Sequence, residues 1–416
     1  MSLRPHAPVP LAATLACCLA AAAGVAADPA PPLAIRGDIV HTMAGPAMRD
    51  GVVLLENGKV KQVGPAADVA IPPGTRVIRG AVVTPGLVDA HTVVGLAGFL
   101  NQDQDQDQLD KGDPVQPELR AVDSYNPRER LLEWIRGFGV TTIHTGHAPG
   151  ALVSGQTMVV KTVGETVEEA VLAPVAMVAV TLGDDARPGD DKKSPGTRSK
   201  AVAMLRGELV KAREYARKRG LADAEKRPER DLRREVFADV LDGKLPLLVT
   251  VNRAADIDSA LRVAAEFGIR IVLDSAAEAY LAADRIKAAG VPVILHPTMR
   301  RAGMGETENV GFETAAKLRA AGIPLALQSG YESYVPKTRV ALFEAAVAAA
   351  NGLSTEEALA AITIDAARII GVADRVGSLQ PGRDADVAVF DGDPFEYTSH
   401  CTAVVIDGRV VADEPR

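Results

Sequence analysis

Four histidines stand where a chain alternating between strands and helices would bring them to one rim: His91, His144, His147 and His296. Imidazole nitrogens and carboxylate oxygens are the usual ligands of zinc and related cations. Three such groups with one position left open turn a bound water into hydroxide near neutral pH. His91 closes the β-branched run in "VVTPGLVDAHTVVG" (82–95), but position 93, where a second histidine would complete a pair, is Val93. His144 and His147 stand together in "HTGHAPG", and His296 precedes Pro297 at a strand end. Asp274 and Glu332, at or just past strand ends, are the carboxylates able to join them, with Asn252 and Tyr331 at similar places. Lys161 interrupts an apolar strand and must snorkel, pair with an acid or reach the mouth of the fold. The expected site therefore takes metal ligands from His91, His144, His147 and His296, and catalytic groups from Glu332, Asp274 and Lys161. His6, His41 and His400 fall in terminal segments and carry no functional expectation.

The elements that must position these groups are legible as strands at 82–88, 139–145, 157–163, 175–181, 246–252, 270–275, 291–296 and 323–329. Helical patterns lie between them. In 201–219, Val202, Leu205, Leu209, Ala212 and Ala216 recur at helical spacing. Ser354 and Glu357 form a capping-box pair, and Gly371 terminates a further helix. Continuous apolar strands separated by helices predict a parallel sheet covered on both faces, and eight such units over 81–375 predict a (β/α)8 barrel. Function in such a barrel sits where the strands end, at the rim to which all four histidines map. Residues 33–80 and 376–413 read instead as short strands with Asn-Gly and Asp-Gly turns, which predicts one small β-sandwich built from both termini. Residues 183–200 read as a polar loop over the mouth. The repeat "NQDQDQDQLD" alternates aspartates as a calcium loop does, but Gln108 and Pro114 stand where such a loop needs Gly and Glu, so it reads as a solvated acidic loop.

The whole chain has 416 residues and a formal charge of −8, which makes nucleic acid and anionic membrane surfaces poor partners. Residues 1–27 have the layout of a secretory signal peptide: Arg4, an apolar run over 9–23, and small residues around Ala26 and Ala27. That run is short for a membrane span, so a periplasmic or secreted protein is expected. Cys17 and Cys18 lack a clean lipoprotein box before them, which argues against lipid anchoring. Cleavage would leave Cys401 alone, so no intramolecular disulfide is expected.

Four stretches, in order along the chain, carry a resemblance: "VVTPGLVDAH" (82–91), "NRAADIDSALRVAAEFG" (252–268), "FEAAVAAANGLSTEEALAAITIDAARIIG" (343–371) and "GSLQPGRDADVAVFDGDP" (377–394). Through them the chain resembles the metal-dependent amidohydrolase superfamily, most closely its imidazolonepropionase-like branch. The resemblance implies a barrel beside a small β-sandwich, hydrolysis of C–N bonds in amides, cyclic amides or amidines, and one or two divalent metals, zinc foremost. It also implies a ligand set that is mostly missing. Val93 replaces the second histidine of the first pair, and the fourth strand, "VAMVAVT", has no lysine. Asn252 and Asp274 stand where histidines of the fifth and sixth strands belong, and Gly330 stands near the place of the final aspartate. Two readings of different class follow. One is a hydrolase of small C–N substrates with a rearranged mononuclear metal site. The other is a catalytically inactive relative that binds a small polar ligand or acts as a scaffold. A metal-free hydrolase with Lys161 or a histidine as base is a third. Relatives often pair, so a homodimer is expected.

Overall fold

The two ends of the chain share one sheet in the computed structural model, which describes residues 31–186, 195–296, 298–299, 304–331 and 340–416. Strands β1 (Leu33–Val40), β2 (Met48–Glu56), β3 (Lys59–Pro65) and β4 (Arg76–Pro85) begin it. Asn57 and Gly58, at φ +52° and +74°, turn β2 into β3. Gly86 then separates β4 from the first barrel strand, β5 (Leu87–Thr92). A Cβ at Gly86 would lie 2.1 Å from the Thr141 hydroxyl, so only glycine lets the chain step from one sheet into the next.

The barrel continues with β6 (Val140–Thr145), β7 (Val153–Gln156), β8 (Met158–Lys161), the short β9 (Val171–Ala173), β10 (Val178–Thr181), β11 (Leu247–Val251), β12 (Ile271–Ser275), β13 (Val293–Leu295) and β14 (Leu325–Leu327). Strands β10 to β14 run parallel, as do β5 and β6, and a parallel bridge from Thr92 to Gly330 joins the two groups. The third stave departs from the expected all-parallel ring. It consists of β7 and β8 with Thr157 between them, and it runs antiparallel to β10 on one side and to β6 on the other. The cause is chain length. Between Thr145 and Val153 there is no helix, and parallel neighbours need a crossover of a dozen residues or more.

Inward positions follow the two-residue period of a strand. Val88, Ala90, Val159, Leu248, Val272, Ile294 and Ala326 pack into one apolar layer, closed by Ala366 and Ala367 of the helix Ile364–Ile369 and by Ile370 at its C-cap. The alternate residues Val249, Leu273, Val293, Leu295, Leu325 and Leu327 face the larger core shared with the helices. Among those helices Arg198–Arg219 starts at a Thr197 cap, and Thr355–Ala361 carries the Ser354–Glu357 capping box.

Strands β15 (Val387–Phe390), β16 (Cys401–Ile406) and β17 (Arg409–Ala412) return to the opening sheet in the order β17-β16-β15-β4-β1-β2-β3. The hydrogen bonding therefore makes one seven-stranded sheet instead of the two stacked sheets of the expected sandwich. The reason is β4, which pairs with β1 along one edge and with β15 along the other. Among the described residues no helix is long and apolar enough to cross a membrane. The expected signal peptide, residues 1–27, lies outside the described residues, as does 187–194 of the expected mouth loop.

Candidate functional site at the barrel mouth

Two residues beyond the apolar layer, the inward positions turn polar: Thr250 on β11, Asp274 on β12, His296 just after β13 and Gln328 just after β14, all buried. Asp274 is the hub. Its Oδ1 accepts from Gln328 Nε2 at 2.7 Å and its Oδ2 from the Thr250 hydroxyl at 2.7 Å. His91 Nδ1 lies 2.9 Å from Oδ1. Burial pushes the Asp274 carboxyl upward, but the His91 charge and these three hydrogen bonds outweigh it, so the group is held below its ordinary value. An acid that stays ionised accepts only. His91 Nδ1 is therefore the donor in this pair, and its Nε2 is a buried atom with no hydrogen-bond partner.

Strand β5 is held at the closing seam by a second carboxylate. Asp89 accepts from the Ser329 N–H at 3.0 Å and the His91 N–H at 3.4 Å, while the Ser329 and Thr92 hydroxyls lie 3.2 Å apart. Burial, opposed by these bonds, raises the Asp89 pKa to about 6. After Asp274 the chain turns through Ser275 and Ala276 at φ +66° and +55°. Two consecutive residues with side chains in the left-handed region store strain, which is concentrated at functional sites. Tyr331 stands over the mouth, with its ring 6.1 Å from His91 and 5.6 Å from His296.

The expected site residues do not all meet here. His91 and Asp274 do, and His296 shares the Tyr331 ring with His91. His144 lies beside His91, with ring centroids 5.7 Å apart, but both its nitrogens are occupied: Nδ1 donates to the Ala90 carbonyl at 2.7 Å, and Nε2 lies 2.6 Å from the Thr157 hydroxyl. Burial first, and the neighbouring His91 second, lower its pKa to about 3, so it remains neutral. It is a bracing residue and not an available ligand. His147 packs against Gly155 with neither ring nitrogen hydrogen-bonded, and burial lowers its pKa to about 4. Lys161 lies at the opposite end of the barrel. Because its stave is reversed, the end of β8 faces the terminal sheet, where Nζ meets Asp407 at 2.5 Å, Asp384 at 2.8 Å and Asp386 at 3.1 Å. Of the three expectations for Lys161, pairing with acids is what the fold uses. Glu332 lies outside the described residues.

Thr250, Gln328, Asp89 and Ser329 were not among the expected site residues. The signal for the first two was present: in "LLVTVN" and "LALQS" a polar residue falls in phase with Asp274 at the last inward position of its strand.

A profile of the Amidohydrolase family matches residues 95–412. The chain belongs to that family. The imidazolonepropionase of Stenotrophomonas maltophilia (strain R551-3) is 27% identical over 401 residues, covering 88% of this chain and 92% of its own. The solved amidohydrolase of Thermotoga maritima MSB8 is 31% identical with a TM-score of 0.86, over 92% of this chain and 100% of its own. An adenosine deaminase of Xanthomonas campestris, solved with bound zinc, shares the fold alone, with a TM-score of 0.54 at 18% identity over 93% of this chain and 94% of its own. The resemblance to the imidazolonepropionase-like branch is thus borne out.

The family implies a divalent metal, and the described donors of this chain do not fit one. Among the described residues no three His, Cys, Asp or Glu side chains converge as a cation requires. His144 is consumed by internal bonds, and His91 offers a single nitrogen. Val93 is sealed in an apolar cluster with Ala97, Ala148, Leu109 and Tyr331.

Proposed function

We propose that this amidohydrolase hydrolyses the C–N bond of a small amide or cyclic amide at the C-terminal mouth of its barrel. The observation that carries the reading is the set of buried polar atoms without hydrogen-bond partners there: His91 Nε2, Asn252 Oδ1 and Gln328 Oε1. Buried donors and acceptors are almost always paired, so unpaired ones at a strand-end rim mark the place of a polar ligand. Family membership supplies the reaction class, and the curated relatives that act on a cyclic imidazolone supply the substrate class. Substrate would be oriented by the Asn252 and Gln328 amides. Tyr331 supplies an aromatic wall, its ring beside both His91 and His296.

The test is a screen of the full chain against hydantoin, dihydrouracil and simple amides, following release of carboxylate and amine. His91→Gln is expected to lower turnover by about 10²–10⁴, the usual worth of a general base. A second reading, recognition of a small polar ligand without turnover, is favoured by Val93 and Gly330, which put no polar side chain where relatives of this kind are expected to carry ligands. Tight binding of a probe that is never cleaved would select it. Export on the leader 1–27 and pairing into a homodimer complete the proposal. Cell fractionation and sedimentation test them.

A further inference from the structure

We propose that this barrel works without a metal ion. The Asp274 carboxylate stands behind His91 and fixes its tautomer, and His91 Nε2 is the base at the mouth. The second half of this statement rests on the hydrolase reading; the first half stands on geometry alone.

Three observations carry it. The buried His91–Asp274 pair is held at 2.9 Å, and Asp274 is oriented by Thr250 and Gln328 from two further strands. That is the arrangement in which a carboxylate fixes an imidazole tautomer and stabilises its protonated form. Among the described residues, three further positions at the rim are committed elsewhere. Val93 is packed in apolar contacts, His144 is bonded through both nitrogens, and Asp89 spends its Oδ1 on the backbone N–H groups of Ser329 and His91. Finally, the strain at Ser275 and Ala276 falls directly after Asp274, where the chain must turn sharply to leave the mouth.

The chemistry closes without a further reagent. Nε2 takes a proton from water as the water oxygen bonds to the amide carbon and the carbonyl π electrons move onto oxygen. When the adduct collapses, the carbonyl re-forms, the C–N bond breaks, and the proton on Nε2 passes to the departing nitrogen. One water is consumed, a carboxylic acid and an amine appear, and His91 returns to its starting state. Asp274 is a positioning residue in this scheme, since it acts through His91.

The test uses the full chain purified without chelators. Elemental analysis is expected to find less than roughly a tenth of an equivalent of any transition metal, with no zinc uptake on titration. Nitrogen NMR of the chain labelled in its histidine rings is expected to show His91 protonated on Nδ1 in wild type, and a mixture of tautomers in Asp274→Asn. About one equivalent of metal that is lost in His91→Ala overturns the proposal. So does a wild-type His91 protonated on Nε2, a result that needs no variant to fold. Hydrolysis of hydantoin or dihydrouracil that survives a chelator supports both the proposal and the hydrolase reading. Hydrolysis abolished by chelator and restored by metal overturns the proposal and leaves that reading intact. A metal-free chain with the expected tautomer and no turnover upholds the metal-free pair and overturns the hydrolase reading.

Discussion

The residues at the mouth divide by what burial does to them. Asp274 is buried but accepts three hydrogen bonds, one from an imidazole, and is kept ionised. Asp89, equally buried, has only backbone N–H and hydroxyl partners, and its pKa rises to about 6. The difference has a measurable sign. An unfolded aspartate titrates near 4, so between about pH 4 and pH 6 the native chain holds a proton at Asp89 that the unfolded chain does not. This group therefore adds stability as pH falls through 6. Asp89→Asn has no such term, and the stability of wild type relative to the variant is expected to rise by about 1 kcal/mol from pH 7 to pH 5. Urea unfolding at the two pH values measures it, and an equal gap at both would show that Asp89 does not titrate there. His144 and His147 act oppositely. Their pKa values, about 3 and about 4, lie below that of an unfolded histidine, so they withdraw stability as pH falls below about 6.5. The comparison must therefore be made against Asp89→Asn in the same buffers and not against pH alone.

Among the elements, the reversed third stave has the widest consequences. It places Thr157, between β7 and β8, where its hydroxyl reaches His144, and it sends Lys161 to the far end of the barrel. There Asp384 also accepts from Lys59 and Arg375, whereas Asp386 has Lys161 as its one ion-pair partner among the described residues. Lys161→Met would leave Asp386 buried with only the Asp407 N–H for company. A loss of about 3 kcal/mol is expected, the scale for breaking one side of a buried pair. Because the lysine lies opposite the mouth, the His91 ring-nitrogen spectrum should not change. A variant that lost the His91 signature at undiminished stability would return Lys161 to the functional site.

Over the whole molecule, sheet and barrel share a core. Val82, Ala388, Phe390, Cys401, Val404 and Ile406 from the terminal strands pack in one cluster with Leu131, Ile135 and Ile143 of the barrel. The guanidinium of Arg416, the last residue, lies 5.0 Å from the ring centre of Trp134, the chain's single tryptophan. A core crossed this way should unfold in one step. Tryptophan fluorescence and far-UV circular dichroism are expected to give coincident denaturation midpoints, and separated midpoints would mean that the terminal sheet is an independent unit.

The strand positions, the capping box at Ser354 and the turn at Asn57-Gly58 were legible in the sequence because each rests on local chemistry: a hydrophobic period, a side chain near a free N–H, a residue tolerant of positive φ. That Val93 and Gly330 offer no side-chain ligand was legible too, since a residue type either offers a lone pair or does not. Strand direction was not inferred, although the short link between Thr145 and Val153 held the clue, and so Lys161 was placed at the wrong end. Partner choice belonged to the tertiary structure alone. His91 and His144 are the same residue type at the same rim, yet one is held by a carboxylate 183 residues away and the other by a carbonyl and a hydroxyl. Which imidazole keeps a nitrogen free depends on the atoms the closed barrel brings within hydrogen-bond reach, and those distances exist only once the ring has closed.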